Sequence, residues 1–477
     1  MPKILPQIQN IVVVMFENRS LDNLCGWLYS DPAQQPSLYL PSGSPTSYDG
    51  LNRTLWNPSN SSYFTGQPPA KVPVHQGAAN YKVPDPNAHE TFDHVNYQCF
   101  GPQAPCPNPQ WPMQGFVIDY ATTNPGDVTQ MMQSYTPDQL PVISTLAKSY
   151  AISDAWFCSV PSETIPNRAF LHSGTSNGEV VNGELGGDIP DPVDFDAATI
   201  FNVLSDKGFG WNVYSDAILA PSLTRTFAPR LWDVNYDSHF HGFNAFLTDC
   251  ANNSLPQYSF VEPRCLLEPN DQHPPHDVSA GEQFLYKIWQ AVSQSPAWNH
   301  ILLVILYDEH GGCYDHVLPP FGAAAPDAAS NPGKENFKFD RFGVRVPAVV
   351  VSPYIQAGTV FRSDTSTPYD HTSILKTLQE WLTPDSILLA SDRIAAAPTL
   401  NQVLTLTAPR IDKPEIAPPR EPLTQTLLNL PPNMLQKSLI VGAARRIGAE
   451  PQSLLAKLPT RQHAIDFFGN SGLAPHK

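Results

Sequence analysis

Short runs of consecutive apolar residues, each followed directly by polar residues, are the strongest pattern along the chain. They cover residues 11–16, 258–261, 301–307 and 346–351. An unbroken apolar run of this length is typical of a strand that is buried on both faces of a parallel sheet. The sequence therefore predicts buried parallel strands whose C-terminal ends lead into polar loops.

Segments with helical periodicity lie between these runs. They cover residues 137–150, 198–205, 279–293 and 372–382, and Asp370 is the predicted N-terminal cap of the last helix. Strands that alternate with helices along a chain fold into helical layers packed on a sheet. We therefore predict an α/β sandwich with a mostly parallel central sheet.

Two stretches interrupt this alternation. Residues 30–110 are crowded with Pro, Ser, Asn and Gly and lack a sustained period, and residues 321–345 form a second insertion of the same kind. The chain has 51 prolines in 477 residues, about twice the ordinary frequency. We expect both stretches to be ordered loops, and the first to be a functional region that lies over the sheet.

The end of the chain differs from the rest in charge. A Pro-rich stretch follows residue 410, and residues 420–477 hold seven Lys and Arg against three Asp and Glu. The sequence therefore predicts a main domain over residues 1–410 and a helical extension over residues 411–477. Apolar residues recur there at helical spacing: Leu435, Leu439, Ile440, Ala443 and Ile447. This basic amphipathic helix either docks on a lipid surface or packs back on the acidic body.

The overall charge and the apolar pattern exclude several classes of protein. Lys and Arg number 28 and Asp and Glu 44, which gives a net charge of −16 and argues against a nucleic-acid partner. No apolar run approaches the 18 to 20 residues of a membrane span, and residues 1–10 show no secretory signal. We expect a cytoplasmic protein or the mature form of a secreted one, with peripheral membrane contact still open.

The seven cysteines leave the redox compartment undecided. Their number is odd and they contain no Cys-x-x-Cys pair, which disfavours a zinc ribbon and leaves at least one thiol free. Cys99 and Cys106 are close enough in sequence to bridge a loop.

Two acidic pairs follow the most apolar runs. Glu17 and Asn18 follow residues 11–16, and Asp308 and Glu309 follow residues 301–307. Ligands bind outside the carboxyl ends of the strands in open parallel sheets. Three carboxylates and an amide oxygen form a hard donor set that suits a divalent cation. The alternative is that each pair only caps the helix that follows it.

A hydroxyl residue lies at a turn that precedes a predicted helix. Thr164 begins the segment Thr-Ile-Pro-Asn-Arg, after the short strand predicted near residues 151–157. Helix amides and a nearby cation lower the cost of an alkoxide at such a position, so Thr164 is a candidate nucleophile. The alternative is an ordinary helix cap.

Four of the 14 histidines lie beside acidic residues, prolines or other polar residues rather than on apolar helix faces: His89, His273, His276 and His371. Imidazoles can donate hydrogen bonds to a phosphoryl group and protonate a departing alkoxide. The alternative for each is a structural bond to a loop carbonyl. His310 and His316, which flank two glycines, are candidates for a supporting role.

Several blocks of sequence carry a resemblance to one family. They run in the family's order over residues 9–385 and read ENRSLDNLCGWL from Glu17, DPNAHETFDHVNYQ from Asp85, MQGFV from Met113, TIPNR from Thr164, YSFVEPR from Tyr258, NDQHPPHDVSAGEQF from Asn270, YDEHGGCYDHVLPP from Tyr307 and YDHTSILKTLQEWL from Tyr369. The chain resembles the phosphoesterases that include non-specific phospholipases C and AcpA-type acid phosphatases.

This resemblance implies a fold and a set of site residues. The fold is an alkaline-phosphatase-like, three-layer αβα sandwich. The family's metal ligands correspond to Glu17, Asn18, Asp308 and Glu309, and its nucleophile corresponds to Thr164. The implied cofactor is a divalent ion, with calcium or zinc favoured. The phosphate-contacting histidines correspond to His89, His273 and His371, with His276 as a further member and His94 as an alternative to His89.

The chain departs from the family pattern at two places. Ser162 and Glu163 replace a Gly-Pro pair before the nucleophile, and Cys313 replaces an aromatic residue after the paired glycines. Glu163 adds negative charge beside the candidate nucleophile, which affects the expected rate and substrate preference.

The resemblance also implies an activity. The expected enzyme is a metal-dependent phospholipase C, which hydrolyses phospholipids such as phosphatidylcholine to diacylglycerol and a phosphorylated head group through a phosphothreonine intermediate. One alternative is an acid phosphatase that acts on phosphomonoesters. Another is a non-catalytic protein that binds phosphate or lipid head groups.

Overall fold

The computed structural model describes residues 4–182, 192–217, 220–423 and 428–473. Thirteen strands lie in these ranges: β1 Asn10–Phe16, β2 Leu38–Leu40, β3 Trp56–Pro58, β4 Lys71–Pro73, β5 His75–Gln76, β6 Gln133–Ser134, β7 Ala151–Ser153, β8 Trp211–Ser215, β9 Phe240–Gly242, β10 Tyr258–Glu262, β11 Ile301–Tyr307, β12 Ala348–Val351 and β13 Thr359–Phe361. Nine of them form one sheet in the order β2-β13-β7-β12-β11-β1-β10-β8-β9. The remaining four form two small two-stranded sheets.

Strands β1 and β11 lie side by side near the middle of the sheet. They are parallel and in register from Asn10 opposite Ile301 to Phe16 opposite Tyr307, and every residue in both is buried. This confirms the strands predicted at residues 11–16 and 301–307. Because the two strands end opposite each other, the residues that follow them emerge together at the carboxyl edge.

Strand β12 corrects one prediction. The run at residues 346–351 was expected to be parallel, but β12 is antiparallel to both β11 and β7. A parallel connection needs a crossover that carries the chain back across the sheet, usually a helix. Between β11 and β12 the described chain forms only short 3₁₀ turns, so it enters β12 from the edge at which β11 ended. The other six pairings in the sheet are parallel.

In the part of the chain that the structure describes, fourteen α-helices surround the sheet: α1 Leu21–Cys25, α2 Phe92–Phe100, α3 Phe116–Ala121, α4 Pro141–Ser149, α5 Thr164–Ser173, α6 Ile200–Asp206, α7 Leu223–Phe227, α8 Phe243–Asn252, α9 Val278–Gln294, α10 Thr372–Leu382, α11 Asp392–Ala396, α12 Met434–Arg446, α13 Pro451–Lys457 and α14 Arg461–Ser471. Helix α9 contacts both α4 and α8, whereas α5 contacts α6 and α10. These two groups cover the two faces of the sheet, which explains why β1 and β11 are buried throughout. The result is the expected three-layer α/β sandwich.

The four predicted helices correspond to α4, α6, α9 and α10. Helix α4 begins at Pro141, four residues later than predicted, because proline fits the first turn of a helix and residues 137–140 form the turn before it. Asp370 lies one residue before the N-cap position of α10, and its Oδ1 accepts the Thr372 N–H at 3.0 Å. The carboxylate therefore satisfies a free amide of the first turn, as a cap does.

The 30–110 insertion is ordered, but it contains more regular structure than predicted. Residues 38–40 form β2 at the edge of the main sheet, where the strand pairs in parallel with β13. Helix α2 packs with α3 around a second, smaller hydrophobic cluster. A three-residue strand is too short to show a period of two, so the sequence pattern did not reveal it.

A buried ion network attaches the loops after β11 to helix α1. The Arg345 side chain lies between Asp22 and Asp315, with nitrogen–oxygen distances of 3.1 and 3.0 Å. His316 Nδ1 lies 2.6 Å from Asp22 and its Nε2 lies 3.2 Å from Asp49. Burial lowers the pKa of His316, but these two carboxylates outweigh burial and raise the pKa to about 10. His316 is therefore cationic at neutral pH and contributes to the network.

We expect the stabilisation by His316 to depend on pH. A histidine whose folded-state pKa lies above its unfolded value of about 6.5 stabilises the fold fully below that value and loses this effect as the pH rises toward the folded-state pKa. The measurement is the free energy of unfolding of wild type minus that of His316→Gln, obtained by urea denaturation at two pH values. We expect this difference to be larger at pH 6 than at pH 10 by at least about 1 kcal/mol. A difference between wild type and His316→Gln that is the same at pH 6 and at pH 10 would contradict the prediction.

The C-terminal segment packs against the main body. Leu435, Leu439, Ile440 and Ala443 of α12 are buried in the main hydrophobic core, whereas Ile447 is 47% exposed. At Gly442 a Cβ atom would lie 2.6 Å from the Thr226 backbone oxygen, so glycine permits the close contact between α12 and α7. Of the two alternatives that the sequence left open, the structure has the apolar face packed on the body. Lipid contact through residues 420–477 stays a prediction and would need other residues.

The same apolar face should contribute measurably to stability. We expect Leu439→Ala to lower the free energy of unfolding by about 2–4 kcal/mol, because it leaves a cavity in the core. Ile447→Ala, at the exposed end of the same helix, should change it by less than about 0.5 kcal/mol. Chemical denaturation of both variants tests this, and equal effects would contradict the described packing.

All seven cysteines are free thiols. The bridge considered between Cys99 and Cys106 is absent: Cys99 is a buried residue of α2, and the Cys106 Sγ instead accepts a hydrogen bond from Gln103. Among the described residues, no helix is both long enough and apolar enough to cross a membrane.

Candidate active site

The predicted ligands and the predicted nucleophile lie together at the carboxyl edge of β1 and β11. The Asn18 and Glu309 N–H groups both donate to Asp308 Oδ1, at 3.0 and 2.8 Å. Thr164 Oγ1 lies 3.3 Å from Glu17 Oε2 and 3.4 Å from Asn18 Oδ1. Residues far apart in sequence, such as Asn18 and Asp308 at a separation of 290 positions, therefore lie close together at this edge.

Asn167 builds the turn that presents Thr164. Its Oδ1 accepts the Val160 N–H at 2.9 Å, and its Nδ2 donates to the carbonyl oxygens of Val160, Ser162 and Glu163 at 3.0–3.1 Å. Thr164 is the first residue of α5, and Glu163 occupies the N-cap position. The Thr164 hydroxyl is directed at Glu17 and Asn18, so the alternative of a capping threonine does not apply.

Glu163 has a structural explanation within the same turn. Its carboxylate accepts the backbone N–H and the Nδ2 of Asn182, at 2.9 and 3.3 Å. Asn182 Oδ1 in turn accepts the Ile165 N–H at 2.8 Å. Glu163 thus fixes the first turn of α5 through Asn182.

Arg168 is the cation nearest to the candidate ligands. It lies one helical turn after Thr164, donates from Nη2 to Glu17 and lies with Nε 3.2 Å from Asp308 Oδ2. Burial raises the pKa of Glu17, an effect that Arg168 opposes, and burial together with neighbouring carboxylates raises the pKa of Glu309. The site holds more carboxylate than Arg168 neutralises.

This donor set fits a divalent cation. Within the described part of the chain, no hydrogen-bond donor reaches the buried Glu309 Oε1, and a buried carboxylate oxygen without a donor is costly unless a cation approaches it. Glu17, Asn18, Asp308 and Glu309 supply only carboxylate and amide oxygens, which are hard ligands. The chemistry of these side chains therefore suits the predicted ion.

Among the described residues, one group of three acidic or histidine side chains has all its ligand atoms within 4.8 Å of one another, and it consists of Asp22, Asp315 and His316. Glu17, Asp308 and Glu309 do not meet this distance as a set of three. The Arg345 guanidinium already occupies the space between the two carboxylates. That group is an ion network, and the hard-oxygen set remains the better candidate for a metal.

His273 and His276 lie beside Asp271. His276 Nδ1 is 2.6 Å from Asp271 Oδ1, and its buried Nε2 has no hydrogen-bond partner among the described residues. His273 Nδ1 lies 2.6 Å from the Pro274 carbonyl oxygen, and burial lowers the pKa of His273 to about 4. The Glu17 N–H donates to the Asp271 carbonyl oxygen at 2.9 Å, which links this loop to the ligand cluster.

Both ring nitrogens of His371 have protein partners. Trp156 Nε1–H points at Nδ1 at 3.4 Å, and Nε2 lies 2.6 Å from the Asp308 carbonyl oxygen. An indole N–H can only donate, so Nε2 must carry the proton and donate to Asp308. His371 therefore orients the backbone of Asp308, a candidate metal ligand. This agrees with the alternative that His371 makes a structural bond to a loop carbonyl oxygen.

His89 and His94 lie together, so the structure does not force a choice between them. Their rings stack with centroids 3.9 Å apart. His94 Nδ1 lies 2.6 Å from Asp119, which raises the pKa of His94, whereas burial and the neighbouring His94 lower that of His89. His89 Nε2 contacts the Thr122 hydroxyl at 3.0 Å.

Glu90 and Asp271 belong to the site, and the sequence analysis missed both. Glu90 Oε2 accepts a hydrogen bond from Asn18 Nδ2 at 2.5 Å, and burial, with Glu163 and Asp308 nearby, raises the pKa of Glu90 to about 8. Each residue lies within three positions of a histidine that the analysis chose, Glu90 beside His89 and Asp271 before His273. An acidic residue beside a candidate histidine was the signal that could have identified them.

A threonine hydroxyl held beside buried oxygen ligands, at the carboxyl edge of an α/β sheet, defines a candidate ester hydrolase. The chain belongs to the phosphoesterase family, whose model matches residues 8–382. The protein is a phosphoric ester hydrolase.

Two relatives illustrate the range of similarity. Non-specific phospholipase C3 of Arabidopsis thaliana is 34% identical over 427 residues, which are 86% of this chain and 76% of the relative. Phospholipase C B of Mycobacterium tuberculosis is 27% identical over 511 aligned residues, covering 97% of this chain and 89% of the relative. A crystal structure of an alkaline phosphatase superfamily protein from Vibrio parahaemolyticus covers 51% of this chain and 60% of its own, at 12% identity and a TM-score of 0.30.

We expect Arg168 to be needed for stability when metal is absent. Arg168→Met leaves Glu17 and Asp308 buried without their cation, which should lower the free energy of unfolding by about 3–5 kcal/mol in the presence of a chelator. Lys376→Met, which breaks a partly exposed ion pair with Glu380, is the control and should cost less than about 1 kcal/mol. Denaturation curves in EDTA test this. A loss for Arg168→Met as small as the control's would show that Arg168 does not balance these carboxylates.

Proposed function

We propose that this phosphoesterase is a metal-dependent phospholipase C, which releases diacylglycerol and a phosphorylated head group from phospholipids such as phosphatidylcholine. The observation that carries the proposal is the position of Thr164 Oγ1, 3.3 and 3.4 Å from two candidate ligand atoms. The named relatives support the choice of phospholipid over phosphomonoester, since those at 34% identity are non-specific phospholipases C.

The candidate ligands are Glu17, Asn18, Asp308 and Glu309. A divalent ion bound by them supplies Lewis acidity, which lowers the cost of the Thr164 alkoxide and polarises a phosphoryl oxygen. Arg168 and the backbone amides that donate to Asp308 hold the carboxylates in place before substrate binds. We expect this ion to be calcium or zinc. Oxygen-rich sites also admit other divalent cations.

Thr164 acts as the nucleophile. Its Oγ attacks phosphorus opposite the diacylglycerol oxygen, the bond from phosphorus to that oxygen breaks, and a phosphothreonine forms. The turn held by Asn167 keeps the hydroxyl directed at the site, so little reorganisation precedes the attack. His89 and His273 are the proposed contacts of the phosphoryl oxygens. Because the Nδ1–H of His273 donates to the Pro274 carbonyl oxygen, Nε2 of this ring can donate only when the ring carries a second proton.

His276 is the best placed of the four histidines to transfer the proton. Asp271 accepts from Nδ1 and so fixes the ring. Nε2, which has no hydrogen-bond partner among the described residues, is the proposed donor to the departing alkoxide. In the second half of the reaction, Nε2 takes a proton from the water that attacks phosphothreonine, and Thr164 leaves as the alkoxide. The proton count then returns to its starting value. His371, with both nitrogens bonded to protein, serves as a positioning residue.

Phosphorus NMR on two substrates tests this function. Purified protein is given phosphatidylcholine or a simple aryl phosphate, with metal added or chelated. We expect phosphocholine only with metal present, and Thr164→Ala should lower the rate by at least about 10³-fold because the nucleophile is lost. Thr377→Ala, which changes a buried threonine bonded to the Ser373 carbonyl on α10, is the matched control and should keep the activity.

The outcomes separate the alternatives. Inorganic phosphate from the aryl ester, with no product from the lipid, would indicate a phosphatase. No product from either substrate would favour a binding protein. Activity that survives in Thr164→Ala would show that Thr164 is not the nucleophile.

A further inference from the structure

Asn18 uses the two ends of its side-chain amide for different partners. Its Oδ1 lies 3.4 Å from Thr164 Oγ1, on the side of the candidate ligands. Its Nδ2 donates to Glu90 Oε2 at 2.5 Å. Asn18 and Glu90 are buried, and they lie 72 positions apart in sequence. The contact therefore depends on the fold and does not arise from sequence proximity.

The direction of this amide decides whether Asn18 can be a ligand. Only the oxygen end can bind a cation or accept the hydrogen bond of the Thr164 hydroxyl, since the NH₂ end carries two donors and no free lone pair. Rotation by 180° about the last side-chain bond would place Oδ1 against Glu90 Oε2, and two acceptors repel each other there when Glu90 is ionised. A hydrogen-bond acceptor on the Nδ2 side thus selects the orientation with the oxygen toward the site.

The backbone of Asn18 is already fixed by its surroundings. Asn18 has a φ of 53°, in the left-handed region that asparagine tolerates better than most residues. At Gly311 a Cβ atom would lie 2.4 Å from the Asn18 carbonyl oxygen, so this backbone packs directly on the paired glycines. The remaining freedom is the rotation of the amide, which is the freedom that Glu90 removes.

The paired glycines also bring Glu90 into place. At Gly312 a Cβ atom would lie 2.3 Å from the His89 carbonyl oxygen, so the segment before α2 can approach only because residue 312 lacks a side chain. Gln98 Nε2 holds the same carbonyl oxygen at 2.8 Å and bonds Asp119 as well. The 30–110 insertion therefore delivers Glu90 to Asn18 on a rigid support.

We infer that Glu90 is a positioning residue, which orients the Asn18 amide so that Oδ1 faces the metal and Thr164. The inference rests on the proposed function, because it assumes that Asn18 is a metal ligand. Glu90 acts through its role as an acceptor for Nδ2 and is not itself a ligand. The insertion that covers the sheet thus completes the metal site, in addition to shaping the approach to it.

A double-mutant cycle on metal affinity tests this, with Mn²⁺ as the probe in titration calorimetry on the full chain. Glu90→Leu removes the acceptor at similar volume and should weaken Mn²⁺ binding at least tenfold. Glu90→Gln keeps an acceptor oxygen and should stay within about threefold of wild type. In an Asn18→Ala background, Glu90→Leu should cause no further loss, because the amide through which Glu90 acts is gone.

Three results would overturn the inference. The first is that Glu90→Gln binds Mn²⁺ as weakly as Glu90→Leu, which would make the charge or a direct ligand bond the essential property. The second is that Glu90→Leu weakens binding further when Asn18 is alanine, and the third is that Glu90→Leu binds Mn²⁺ as wild type does. Glu282→Gln, which alters a buried carboxylate bonded to the Val142 and Ile143 amides, is the control for core disruption and should leave the affinity unchanged.

The cycle also separates this inference from the proposed metal site. Wild type that fails to bind Mn²⁺, or Asp308→Asn that binds it as well as wild type, would refute the metal site itself. Normal binding by wild type and its loss in Asp308→Asn, with no effect of Glu90, would refute only the role of Glu90. Thermal denaturation of each variant shows whether it is folded, and Glu90→Gln gives a readout even if Glu90→Leu does not fold.

Discussion

The burial of several carboxylates side by side at one edge of the sheet is the constraint on which the rest of the structure depends. The in-register pairing of β1 with β11 places Glu17 and Asp308 next to each other, and both are almost fully buried. Isolated buried charges are strongly destabilising, so the fold must supply compensating groups. Arg168, the amides of Asn18 and Glu309 and the site's capacity for a cation together provide them.

The loops that surround the sheet follow from this constraint. Backbone and side-chain groups must approach the carboxylates closely, which explains the paired glycines after β11 and the left-handed Asn18 that packs on them. Thr164 must face the same oxygens, and Asn167 alone satisfies four backbone groups in the turn that achieves this. Irregular backbone of this kind costs conformational free energy. It is typical of sites at which the backbone positions functional side chains.

The sequence predicted the parts of this arrangement that depend on periodicity or on local order. Unbroken apolar runs identified β1 and β11, and polar residues at their ends identified the candidate ligands. The direction of β12 was not predictable in this way, because an apolar run looks the same in a parallel and an antiparallel strand. Glu90 was missed for a different reason: its importance comes from a single contact with Asn18, made across 72 positions. The packing of α12 on the body was left open, since an amphipathic face suits a protein core and a lipid surface equally well.

An asparagine at position 18 suits the charge of a phosphoric ester. Such an ester is an anion and would be repelled by the carboxylates of Glu17, Asp308 and Glu309 unless a cation offset them. An amide oxygen would add a ligand without a further negative charge, so an ion bound there would keep more of its positive charge for the phosphoryl oxygens. The amide brings a disadvantage that a carboxylate does not have, because only one of its two ends can bind a cation. A neighbouring acceptor that fixes its direction removes this disadvantage, which gives a physical reason for an acidic side chain buried beside a site that is already acidic.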